Sequence, residues 1–136
     1  MNAPSHRQLL SALSRRLARL YQTLQEASQA FLADTPSVEK LANLLDQRDF
    51  TLEEARDIEK EAFELGHLLD PSSPPSTAAQ VFRLLENGDE AEKTVAVDLQ
   101  KTLEALIASD QAVAEWMARQ KTSLADELKK VRHGSN

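Results

Sequence analysis

Residues 9–31 read LLSALSRRLARLYQTLQEASQAF, and their spacing decides the fold class. Leu10, Leu13, Leu17, Leu20, Leu24, Ala27 and Phe31 follow one another at alternating steps of three and four. That is a heptad seam, a narrow apolar stripe that stays turned toward a neighbouring helix. Ser5 is the expected N-cap, since its hydroxyl can accept a free backbone N–H of the first turn, and Pro36 stops easy continuation at the other end. A helix of about 28 residues is about 42 Å long. A seam this regular needs another long helix lying almost parallel to it.

The rest of the chain repeats the pattern. Thr35–Pro36 predicts a new helix start, with a capping hydroxyl followed by proline at the first helical position. Val38, Leu41, Leu44 and Leu45 give a short apolar face, which Asp46-Gln47-Arg48-Asp49 is expected to break. Thr51-Leu52-Glu53-Glu54 then reads as a capping box, with Phe50 stapled onto Ala55. The following helix places Leu52, Ala55, Ile58, Ala62, Leu65 and Leu69 on one side. Gly66 within it costs about 1 kcal/mol relative to alanine, which predicts a loose end. Asp70 to Ser76 holds three prolines and three serines and reads as a linker. A short helix from about Thr77 to Glu86 should stop at Asn87–Gly88.

Asp89-Glu90-Ala91-Glu92 opens the last helix with another capping box. No proline or glycine interrupts the chain from there to Arg132, so about 44 residues could span about 66 Å. Its seam runs through Ala96, Leu99, Leu103, Leu106, Asp110, Val113, Met117, Gln120, Leu124 and Val131, with Leu128 beside the final turns. Asp110 and Gln120 are polar interruptions. Either they fix register, or they mark where the helix leaves the bundle. The expected fold is therefore all-α: an elongated antiparallel helical bundle or coiled coil, with a long first helix, shorter middle helices and a very long C-terminal helix. One domain spans residues 1–136, with the linker at 70–76 between its halves.

Composition supports that class and removes several functions. Aromatic residues make up 4% of the 136, so the core must be built from leucine and alanine, which favour helices over strands. The chain has no cysteine, which excludes disulfides, thiolate zinc sites and cysteine nucleophiles. A net charge of −6 argues against general binding to nucleic-acid backbones. No apolar run approaches the ~20 residues that cross a bilayer. The charge is uneven, with +3 over residues 1–33 and −7 over residues 34–70. The basic first segment could be a targeting peptide, or its flank could face an acidic neighbour in the bundle.

Catalytic patterns are missing. Glu64 and His67 form a lone Glu-x-x-His, but a carboxylate-bridged di-metal bundle needs two such pairs, and neither His6 nor His133 has a glutamate three residues before it. The acids from Glu53 to Glu64 alternate with Arg56 and Lys60 around a helix, as on a solvated face. These features indicate a non-enzymatic protein with no metal or cofactor.

Three stretches carry a resemblance: Leu44-Leu45-Asp46-Gln47-Arg48-Asp49-Phe50, Asp57-Ile58-Glu59-Lys60-Glu61, and Leu103-Glu104-Ala105-Leu106-Ile107-Ala108-Ser109-Asp110. With the long first and last helices, they resemble the small flagellar export chaperones of the FliT/FlgN type. The proline-rich stretch at 71–75 and the Thr35–Pro36 interruption depart from that pattern. The resemblance implies a cytoplasmic chaperone that holds a helical segment of an export substrate before delivery to a secretion apparatus. Val113, Trp116, Met117 and Leu124 on the last helix are the candidate partner-binding anchors, since tryptophan concentrates binding energy and methionine adapts its shape. The alternatives are that Trp116 and Met117 are bundle core, or that the seams pair between identical chains in a homodimer or other oligomeric adaptor.

Overall fold

The computed structural model describes residues 5–134, and every regular element among them is helical. Helix α1 spans His6–Ala33. It starts as expected: the Ser5 hydroxyl accepts the Gln8 N–H at 3.1 Å, and the Gln8 side chain accepts the Ser5 N–H at 2.9 Å. This reciprocal pair satisfies two first-turn donors. Leu10, Leu13, Leu17, Leu24 and Phe31 are buried, with Leu20 and Ala27 half-buried beside them.

The chain reverses at residues 34–37. Thr35 turns with φ of 40°, a left-handed conformation that β-branched residues seldom adopt. Ser37, two residues later than Thr35, is the N-cap of the next helix and accepts the Lys40 N–H at 3.1 Å. Helix α2 then runs unbroken over Val38–Leu69, 32 residues or about 48 Å. The expected interruption at Asp46–Asp49 does not occur. None of those four residues is a proline or glycine, and Asp46, Gln47 and Asp49 stay in solvent. Only Arg48 turns inward. Thr51 is a mid-helix residue whose hydroxyl donates to the Gln47 carbonyl, so neither the capping box nor the Phe50 staple forms.

Gly66 is buried rather than loose. A Cβ there would lie 2.8 Å from Pro75 Cγ and 2.8 Å from Val81 Cγ2, so the glycine is what lets the proline-rich segment fold back onto α2. That segment leads to α3 (Ala78–Arg83), capped by Thr77, and a 3₁₀ turn at Leu84–Asn87. Asp89 accepts the Glu92 N–H at 2.9 Å and α4 begins, running Glu90–Gly134 over 45 residues.

The three long helices run up, down and up, so α1 and α2 are antiparallel and α1 and α4 are parallel. Helix α1 is the central element and packs along both others, whereas α2 and α4 meet chiefly through side chains. Two apolar clusters result. The larger joins Leu10, Leu13 and Leu17 to Ala55, Ile58 and Ala62 of α2, Val95, Ala96 and Leu99 of α4, and the wedge of Val81, Phe82 and Leu85. The smaller, at the opposite end, is Phe31, Leu44, Val113 and Trp116.

Candidate interaction surface

Helix α4 changes character at Trp116. Up to that point most of its seam is covered: Ala96, Leu99, Leu106 and Val113 are buried against α1 and its neighbours, and Leu103 alone among its leucines there is 38% exposed. Trp116 is 9% exposed and stands edge-on to Phe31, with ring centroids 5.1 Å apart. Phe31 belongs to the last full turn of α1, and α2 begins only at Val38. Beyond that level no element remains to pack against α4. Every residue from Met117 to Lys130 is exposed.

The remaining 117–134 segment is about 27 Å long, and most of it extends past the bundle. It carries the seam outward through Met117, Leu124 and Leu128, which are 43%, 59% and 54% exposed. Spacings of seven and four keep the three on one side of the helix. The segment holds five lysines and arginines against two acids, a net of +3 in a chain of −6.

The four anchor candidates therefore separate. Val113 and Trp116 sit inside the chain's own core with Phe31 and Leu44, while Met117 and Leu124 face solvent on the extension. The two polar interruptions separate in the same way. Asp110 closes onto the bundle: Arg48 Nη2 donates to its Oδ2 at 2.9 Å, Nη1 donates to its Oδ1, and Nη1 also reaches the Ser28 hydroxyl at 3.3 Å. Hydrogen bonding to Asp110 holds the Arg48 guanidinium protonated above its ordinary range. This bidentate pair ties α2 to α4 and sets their register. Gln120 lies in the exposed extension.

A second apolar feature escaped the sequence reading. Phe50 is 79% exposed on the outer face of α2. Asp46, Glu53 and Glu54 stand three or four residues away on the same face, so the ring is surrounded by acids. The only signal for it was an aromatic residue within an acid-rich run, and an expected helix start at Thr51 accounted for that residue.

No group of three or more His, Asp or Glu side chains among the described residues is arranged to hold a metal ion. His67 is exposed, with Nδ1 3.0 Å from the Phe63 carbonyl and its ring against Phe63. Two half-buried polar contacts brace the bundle. Tyr21 donates to Glu59 at 2.9 Å, and burial together with that acceptor pushes its phenol well above the usual range. Arg7 donates to Glu92 and to the Leu84 carbonyl, both at 2.9 Å, and so pins the start of α1 to the start of α4. No described helix is long and apolar enough to cross a membrane. Compared with protein-family models, curated proteins and solved structures, the sequence matches none.

Proposed function

We propose that this chain is a non-enzymatic helical binding protein that holds a helical segment of a protein partner, in the manner of a cytoplasmic flagellar or type III export chaperone. The observation that carries the reading is the extension of α4, whose apolar stripe of Met117, Leu124 and Leu128 continues a core seam into solvent. An amphipathic helix laid along such a stripe buries its own apolar face in return, and methionine adjusts to helices of different shape. The resemblance of residues 44–50, 57–61 and 103–110 to the export chaperones supplies the partner class. In this reading Met117, Leu124 and Leu128 are the anchors, and Val113 and Trp116 support them from below.

The test is affinity capture of the full chain from its native cells after mild cross-linking, followed by mass spectrometry. Flagellar or secretion-system proteins are expected with the wild-type chain, and they should be lost with Leu124→Asp. Recovery only of proteins unrelated to secretion overturns the export reading. Equal recovery with Leu124→Asp removes the extension from it.

A further inference from the structure

Two exposed features of opposite charge stand out: the basic, apolar extension of α4 and the acidic face of α2 around Phe50. They complement each other. Helix α2 carries nine acids against four bases, a net of −5, while residues 117–134 carry +3. Arg48, one of the four bases, is already committed to Asp110. We propose that the extension of one copy packs along the Phe50 face of a second copy, and the reverse, forming a reciprocal homodimer.

The topology allows it. Within one copy α2 and α4 are antiparallel, and the extension leaves the bundle at the end where α2 begins. A two-fold axis perpendicular to the helices, placed at that end level with Trp116, lays each extension parallel to the partner's α2 and overlaps the two copies. A two-fold interface uses the same patch twice, so each chain gives one extension and receives another. A contact strip about 27 Å long and about 10 Å wide on each facing helix, formed twice, removes roughly 1,000 Å² from water, the size at which specific interfaces begin. Charge decides against the simpler pairing of extension with extension, which would set two basic segments side by side. It favours the acidic α2 face, where opposite charges flank an apolar centre.

The inference uses the same extension as the binding reading but does not rest on the export assignment. A client helix and a second copy would compete for Met117, Leu124 and Leu128, so dimerisation would keep the stripe covered until a client displaces it.

Sedimentation equilibrium of the purified full chain tests the proposal. A dimer is expected at micromolar concentration, and it should weaken as salt rises because both charged faces are exposed. Leu124→Asp sets an acid against the acidic face, and Phe50→Lys sets a base against the basic extension. Each should weaken the dimer at least about tenfold without changing helix content, since both side chains are in solvent. Mixing the two variants should restore dimers: one contact then pairs the wild-type surfaces, and the other pairs Asp with Lys. A wild-type chain that stays monomeric overturns the proposal. So does a dimer lost with Leu124→Asp but indifferent to Phe50→Lys, which would indicate extension-on-extension pairing. Failure here would leave the capture experiment unaffected, so the two readings fall separately.

Discussion

Truncating Trp116 to alanine separates a core tryptophan from a binding tryptophan. The side chain is 9% exposed, lies in one cluster with Phe31, Leu44 and Val113, and makes an edge-to-face contact with Phe31. Trp→Ala changes in cores cost about 3–5 kcal/mol, of which an aromatic pair supplies about 0.5–1.5. Trp116 closes the smaller cluster at the bundle's end, where neighbours can collapse into the space, so the low end, about 3 kcal/mol, is expected. A chain of this length has a total stability of about 7–15 kcal/mol, so the variant still folds. At roughly 4 °C per kcal/mol the Tm should fall by about 12 °C. Met117→Ala, one residue along but already in solvent, should change stability by less than about 0.5 kcal/mol. Thermal unfolding followed by circular dichroism measures both. A Trp116→Ala shift below about 3 °C, or equal shifts for the two variants, would refute the placement of the core boundary between them.

Three further outcomes follow from the polar contacts and the one tight glycine. Asp110→Ala strands a mostly buried guanidinium and should lower stability by about 2 kcal/mol, whereas the double variant Arg48→Met with Asp110→Ala should recover part of the loss in denaturant titrations. Tyr21 keeps its proton in the folded chain at pH values where the unfolded chain, near pH 10, has released it. Its contribution is therefore full below pH 10 and is lost as pH rises above that value; unfolding free energies measured from pH 8 to 11 should fall less steeply for Tyr21→Phe. Gly66→Leu must displace Pro75 and Val81 and should cost about 2–3 kcal/mol by chemical denaturation, although leucine is much the better helix former.

Features of the fold that depend on nearby residues were legible in the sequence. The seam of α1 and its Ser5 cap are set by residues three and four apart, and the length of α4 follows from the absence of proline and glycine. The misreadings have partners far along the chain. Asp46–Asp49 looked like a break because four polar residues interrupt an apolar face, but the inward turn of Arg48 is explained by Ser28, 20 residues away, and above all by Asp110, 62 residues away. Gly66 looked weak by helix propensity until Pro75 and Val81 occupied the space beside it. Periodicity puts Trp116 and Met117 near the same seam. Their different surroundings follow from where α1 ends, and so does the exposure that makes Met117 and Leu124 candidate anchors. Phe50 was hidden by a helix start that the structure does not have.

The central position of α1 also orders the events of folding. Its pairing with α2 needs only the four-residue reversal at 34–37, whereas its pairing with α4, as in the Arg7–Glu92 contact, closes a loop of 85 residues. Short closures are entropically cheaper, so the α1–α2 hairpin should form first, with α4 docking onto a finished surface. Helix α4 then carries three grades of amide protection along a single rod. In the monomer, hydrogen exchange should be slowest where Leu99 and Leu106 are clamped, faster near Trp116, and close to that of an isolated helix beyond Met117.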